Sequence, residues 1–378
     1  MKKILHISKY YVPFVGGVEH VAYDAVNALK GRAEQKVICF NHEKGNLVED
    51  VDGVEVVRCH CEFSVFSQSV SLNYGKKLKK LIAEFKPDAV IFHYPNPYVS
   101  HFLLKYLPKD VSFFVYWHLD ITKQKLLGKF FHFQNLSLLK RAKAVIATSP
   151  NYVAGSKYLS KVTEKCTVVP NCINENRLKV TEESLLIAES IKQKYHGKIL
   201  CLAVGRHVPY KGFEYLIKVS KLLDDRFIVN IVGEGILTES LKYLAKNDSK
   251  VHFIGKIDDI ELNAYYLASD IFCFSSITKN EAFGVALAEA MYFGLPAVTF
   301  TIEGSGVNYV SLNKATGLEV PNRDTTAYVE ALNELADSVE LRKQYGDAAS
   351  LRVKKNFLFV QFQRSLVKLV LGESLEES

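Results

Sequence analysis

The sequence predicts an α/β protein of two doubly wound, Rossmann-like domains that face each other across a cleft, and three observations carry that expectation. At 378 residues the chain exceeds the length at which a single core usually stops growing. Short β-branched or aromatic runs alternate with helix-length amphipathic stretches along nearly all of it. The alternation then begins afresh at Ile199, so two series, and two sheets, are expected.

The first series comprises KILHI, QKVICF, DAVIFH, VSFFVYWH, AVIAT and TVV, each nearly continuously apolar, as a parallel strand covered on both faces should be. The second comprises ILCLAVG, FIVNIVG, VHFIG, DIFCF and PAVTF. Between them the polar, helical stretch 173–197 reads as a linker. The expected boundaries are residues 1–174, residues 175–355, and a terminal helix over 356–378 that packs back on the first domain.

Composition narrows the class. With 48% hydrophobic and 24% charged residues the chain is globular rather than disordered. Its seven cysteines are odd in number, lack C-x-x-C spacing and lie mostly in apolar runs, which reads as buried thiols in a reducing compartment. The start MKKILHISKYY has too short an apolar run for a signal peptide, and no stretch reaches about 18 apolar residues, so the expected location is cytoplasmic.

The net charge of +7 is unevenly spread. Residues 1–180 carry 26 Lys and Arg against 15 Asp and Glu, whereas residues 181–378 carry 22 against 26. A basic first half suits an anionic ligand or surface. Nucleic acid is not the expected partner, because no helix-turn-helix, zinc-finger or RNP pattern is present.

In doubly wound domains ligands bind at the carboxyl ends of strands, and that rule selects the candidate residues. PFVGGVEH, with Gly16 and Gly17, follows the first strand and precedes a helix, so it serves either as an anion-approach loop or as a plain tight turn. GRHVPYKG places Arg206 and Lys211 at the ligand edge of the second sheet, to converge on a diphosphate or to stand as a solvated cationic pair. In VGEGIL, residues Gly233, Glu234 and Gly235 either lie along a nucleoside or start a helix. His118 in YWHLD ends a strand and is either structural or turned to the crevice. Asp50 and Asp52 in NLVEDVDG read as solvated loop carboxylates rather than metal ligands, and no metal is expected. TSPN and VVPN read as strand-end turns.

The stretch EAFGVALAE follows the strand DIFCF, with its helix starting at Phe283–Gly284. Glu281 then precedes the helix and Glu289 projects from its second turn. The free amides of Phe283, Gly284 and Val285 direct the positive end of the helix dipole outward. Two carboxylates so placed reach different parts of one extended ligand; a capping Glu and an exposed helix Glu would share the same spacing.

In this order, the GGVE loop, VVPN, GRHVPYKGF, VGEG and the E-x7-E pattern resemble glycosyltransferase family 4, the retaining nucleotide-sugar transferases of the GT-B fold, over roughly residues 3–320. The resemblance implies an N-terminal acceptor-side domain and a C-terminal domain for the nucleotide sugar. It implies that Arg206 and Lys211 hold the donor diphosphate, Glu289 the ribose hydroxyls, and Glu281 with the amides of Ala282, Phe283, Gly284 and Val285 the transferred sugar. Gly17, beside Gly16, would allow close approach of the distal phosphate, Gly233 and Glu234 would line the donor, and His118 would stand by the reacting carbon. The family commonly has Gly where this chain has Cys172.

The segment 278–310 together with WHLDITKQK is similar to members that build O-antigen chains of lipopolysaccharide from GDP-mannose or a related GDP-sugar. That likeness implies a metal- and cofactor-independent transfer of a hexose to a lipid-diphosphate-linked saccharide, with Asp120 and Lys123 on the acceptor side. A UDP-hexose donor is the alternative within the class, and a nucleotide-sugar epimerase the alternative outside it. YGKKLKKLIAEF and the stretch 123–143 mix Lys or Arg with Leu and Phe, and either cover a core or rest the protein on the anionic inner face of the cytoplasmic membrane.

Overall fold

The computed structural model describes residues 1–14, 16–65, 68–121 and 128–375. The chain divides into two units, Met1–Pro170 with Val360–Ser378, and Asn171–Phe359.

The first unit runs β1 (Lys2–Ile7), α1 (Gly17–Leu29), β2 (Ala33–Phe40), β3 (Leu47–Val51), β4 (Val54–Cys59), β5 (Phe63–Val65), β6 (Gln68–Val70), α2 (Tyr74–Phe85), β7 (Ala89–Tyr94), α3 (Pro97–Tyr106), β8 (Ser112–Trp117), α4 (Gly128–Arg141), β9 (Ala144–Ala147), α5 (Pro150–Gly155) and β10 (Cys166–Val168). Its main sheet has the order β10-β9-β8-β7-β1-β2-β4-β3 and is parallel except for the β3–β4 pair. All six residues of β7 are buried, as a central parallel strand with helices on both faces requires. TSPN starts α5: the Ser149 side chain accepts the Tyr152 amide and Pro150 occupies the first helical position, where its missing N–H costs nothing.

Around Asp50 the structure differs from the expected loop. Leu47–Val51 pairs with β4 as a hairpin, because Asp52 and Gly53 both take left-handed φ values, 52° and 84°, that match a tight two-residue turn. Asp50 Oδ1 accepts the Gly53 amide at 2.8 Å and Asp52 Oδ2 accepts the Tyr23 hydroxyl at 2.7 Å, so both carboxylates brace this hairpin.

The second unit runs α6 (Glu182–Lys194), β11 (Ile199–Val204), α7 (Phe213–Ser220), β12 (Phe227–Val232), α8 (Thr238–Leu244), β13 (Val251–Gly255), α9 (Asp259–Ala268), β14 (Ile271–Phe274), α10 (Val285–Tyr292), β15 (Ala297–Phe300), α11 (Val307–Val310), β16 (Gly317–Val320), α12 (Thr325–Asp337) and α13 (Val339–Asn356). Its sheet, β13-β12-β11-β14-β15-β16, is wholly parallel. The short strand β16 escaped the sequence pattern because it is four residues long and begins at a glycine. The stretch expected as a linker is structural. Within it α6 packs Ala188, Ile187 and Ile191 against Leu200, Ile228 and Ala264, and the division between the units falls earlier, at Pro170.

The last helix, α14 (Phe359–Leu371), counts with the first unit from Val360 onward. Lys2 Nζ donates to the carbonyls of Val370 and Leu371 at 3.5 and 2.9 Å, satisfying the end of the helix with a cation, and Gln363 donates to the Ala28 carbonyl at 3.1 Å. All seven cysteines are free, with Cys39, Cys59, Cys172, Cys201 and Cys273 buried. Cys172 does not take a positive φ, so the turn after VVPN forms without the glycine common in the resembling family.

Candidate active site

The carboxyl ends of β11, β12 and β14 bring the second unit's candidates together. The loop after β11 and the loop after β12 are joined by main-chain bonds: the His207 amide donates to the Glu234 carbonyl and the Leu237 amide to the His207 carbonyl, both at 3.0 Å. Gly212 ends the first of these loops at φ 65°, and a Cβ there would stand 2.2 Å from the Ser275 carbonyl oxygen. Only glycine allows the Lys211 turn to lie this close to the end of β14.

Lys211 is thereby aimed at the segment before α10. Its ammonium lies 2.5 Å from Glu281 Oε2 and 5.1 Å above the Phe274 ring. The Ser276 hydroxyl donates to the same carboxylate oxygen at 3.1 Å, and the Ser305 hydroxyl donates to the Glu281 carbonyl. Gly284, at φ 95°, turns the chain into α10. The amides of Phe283, Gly284 and Val285 donate to no described residue, so the helix N-terminus presents free donors beside the Lys211–Glu281 pair. Arg206 is exposed and pairs with no described carboxylate; Glu234 is also exposed.

Glu289 sits on the second turn of α10, 7% exposed, with Oε2 accepting the Tyr266 hydroxyl at 3.2 Å and Oε1 4.0 Å from Arg177. Arg177 is clamped by Asp259 through two nitrogens at 2.7 and 3.0 Å. Burial raises the Glu289 carboxyl above the ordinary Glu value, and Arg177 and Tyr266 oppose that shift. Arg177 and Tyr266 are residues the sequence did not single out. One lies in the stretch read as a linker, and the other is an aromatic in an apolar helix; only the fold brings them to Glu289.

In the first unit Gly16 precedes α1, and the Glu19 carboxylate lies over it, with Oε2 2.2 Å from where a Cβ would stand. Gly17 faces open space. The chain entering this loop is held by Arg58, 1% exposed, which donates to the carbonyls of Tyr11 and Val12 at 3.3 and 2.5 Å and pairs with Glu49. Arg58 lies alone in VEVVRC, and a single Arg in an apolar strand was the available signal.

His118 follows β8 and is 5% exposed; its Nε2 lies 3.0 Å from His93 Nδ1. Burial depresses its pKa from 6.5 to about 3, so the ring is neutral. Asp120 is spent on the fold: Oδ1 accepts from Trp117 Nε1 and the Ser156 hydroxyl at 2.9 and 2.8 Å, and Oδ2 from the Lys157 amide at 3.3 Å. A carboxylate so occupied braces the segment after β8. Lys123 lies outside the described residues. Among the described residues no group of three or more His, Cys, Asp or Glu could hold a metal ion.

Two family models match this chain in succession, Glycosyltransferase Family 4 over residues 15–177 and Glycosyl transferases group 1 over residues 187–352. The chain is 29% identical over 359 residues to the O-antigen chain mannosyltransferase C of Escherichia coli, covering 94% of each. It is 28% identical over 361 residues to the D-rhamnosyltransferase WbpZ of Pseudomonas aeruginosa, covering 94% of this chain and 92% of that one. Among solved structures, the sucrose-phosphate synthase of Thermosynechococcus elongatus matches with a TM-score of 0.80 at 17% identity, over 98% of this chain and 99% of that one.

Proposed function

This chain belongs to glycosyltransferase family 4 and has the GT-B fold, and on that footing we propose that it moves a hexose, mannose from GDP-mannose, onto a lipid-diphosphate-linked saccharide of a bacterial surface polysaccharide. The observation that carries this reading is the Lys211–Glu281 pair at the N-terminus of α10. A departing diphosphate needs fixed positive charge, which Lys211, Arg206 and the free α10 amides supply, and an oxocarbenium-like sugar needs a carboxylate beside it, which Glu281 supplies. With those cations in place no metal is needed. Among the described residues no side chain stands out as a nucleophile, and the family resemblance favours retention through same-face attack by the acceptor hydroxyl, whose proton passes to the leaving phosphate oxygen.

Two relatives support the donor class. Their names specify mannose and D-rhamnose, and D-rhamnose is mannose lacking the C6 oxygen. For the acceptor, the support is the basic first half and α2, whose Lys76, Lys79 and Lys80 are exposed. The apolar face of α2, with Tyr74, Leu78, Leu81, Ile82 and Phe85, is buried within its unit, so contact with an anionic inner leaflet would be made by charge alone. No helix among the described residues is long and apolar enough to cross a membrane.

The test is a donor panel of GDP-mannose, GDP-6-deoxymannose and UDP-hexoses with a synthetic lipid-diphosphate saccharide, the product linkage being read by NMR. Transfer from UDP-hexoses alone overturns the donor, an inverted linkage overturns the mechanism, and epimerised donor without acceptor makes the protein an epimerase.

A further inference from the structure

His6, His93 and His118 form a row across three neighbouring strands, on β1, on β7 and just past β8. Their exposures are 0%, 1% and 5%. His93 stacks on Tyr116 and on His118 with ring centroids 5.5 and 5.3 Å apart, which fixes both imidazole planes. His93 Nδ1 and His118 Nε2 stand 3.0 Å apart. Two imidazole nitrogens at that distance share one proton, since two lone pairs or two N–H groups would repel.

Which ring supplies the proton follows from the other nitrogens. His93 Nε2 is buried with no hydrogen-bond partner among the described residues. If His118 donated, neutral His93 would carry its own proton on Nε2 and strand an N–H, the costlier group to leave unpaired. His6 does not relieve that cost. Gln35 gives its amide N–H to the Val26 carbonyl, so its oxygen faces His6 Nε2 at 2.9 Å and makes that nitrogen the protonated one. The remaining lone pair, on His6 Nδ1, is likewise without a partner and forms no bond to His93.

From this geometry we infer that His93 is a positioning residue that holds His118 as its Nδ1–H tautomer, so that His118 presents a hydrogen-bond donor, not a base, at the carboxyl end of β8, where doubly wound domains take their ligands. The use of that N–H in transfer rests on the proposed function; the tautomer does not. Burial keeps the rings neutral, lowering His6 to about 4 and His118 to about 3, and burial followed by the neighbouring His118 and His6 places His93 well below its ordinary value.

Selective 15N-histidine labelling of the full chain, with the His118 signals assigned by their loss in His118→Gln, reads the tautomer directly. A protonated Nδ1 and unprotonated Nε2 on His118 are expected; a protonated Nε2 overturns the inference. In steady-state transfer, His93→Leu lowers kcat about tenfold with donor KM unchanged, the scale of one hydrogen bond. His93→Asn, whose amide keeps an N–H near the same place, recovers most of that loss, and equal losses in the two variants overturn the positioning role. Normal transfer by His118→Gln, with the expected tautomer in the parent chain, overturns the use of the His118 N–H in transfer.

Discussion

Lys211 Nζ and Glu281 Oε2 stand 2.5 Å apart with their side chains only 12% and 11% exposed, so each neutralises the other in a site largely shut from water. On the proposed function, a diphosphate that draws Lys211 toward itself would free Glu281 to accept sugar hydroxyls and so couple donor binding to sugar recognition through one contact. Lys211→Ala therefore lowers transfer at least about a hundredfold, as losing a preorganised charge contact does, and Arg206→Ala does the same from its exposed position. Near-normal kcat/KM in both purified, folded variants refutes the diphosphate placement.

Glu289 titrates in the opposite sense to a salt-bridged carboxylate. Its folded pKa is raised by burial, so the stability it contributes is full below the unfolded value and is lost as pH rises through the folded one. Glu289→Gln melts no lower than the parent chain at pH 8, and relatively lower as pH falls toward 4.5, while its donor KM rises about tenfold or more because the neutral amide is a poorer acceptor for ribose hydroxyls. A melting point several degrees below the parent's at pH 8 contradicts this.

The buried histidines make the protein sensitive to acid. His6 and His118 fall from 6.5 to about 4 and about 3, so the unfolded chain binds more protons below pH 6.5 and stability rises with pH between about 4 and 6.5. Relative to pH 7, each such ring costs roughly 2 kcal/mol at pH 5. Urea midpoints at the two pH values show the loss, and His6→Gln shrinks it. The rate of transfer shows no inflection from His118 between pH 5 and 8; one that vanishes in His118→Gln would place its pKa in the ordinary range.

Transfer survives excess EDTA, because Lys211, Arg206 and the α10 amides provide the charge a metal would otherwise bring. An absolute need for Mg2+ or Mn2+, restored by no other treatment, removes that account of leaving-group stabilisation.

Since the apolar face of α2 is committed to the core, the proposed contact with an anionic membrane would be electrostatic. Replacing Lys76, Lys77, Lys79 and Lys80 by Glu releases the protein from anionic liposomes, and salt weakens the parent's binding, while turnover of a short soluble acceptor is spared. Separate reversal of Lys125 and Lys129, which lie where side chains are not described, acts in the same direction. Unchanged flotation after both reversals, or none by the parent at low salt, leaves the basic half without this purpose.

The alternation of apolar runs and amphipathic stretches was enough to read two parallel sheets, because a strand buried on both faces must be apolar throughout and its crossover helix must be amphipathic. The strand-end rule then located Arg206, Lys211, Glu281 and Glu289, since loops at carboxyl ends are tied to the strands that precede them. Hairpin β3–β4 and strand β16 were not legible, being short and half exposed or led by glycine. Nor were the partners of the site. Tyr266 and Arg177 at Glu289, Arg58 beneath the Gly16 loop and His93 behind His118 are separated from them by 23 to 112 positions, or lie on different strands, and each looks like ordinary core or linker in its own segment. Periodicity reports which face of an element is buried; what stands against that face depends on sheet order and register, which only the folded chain sets.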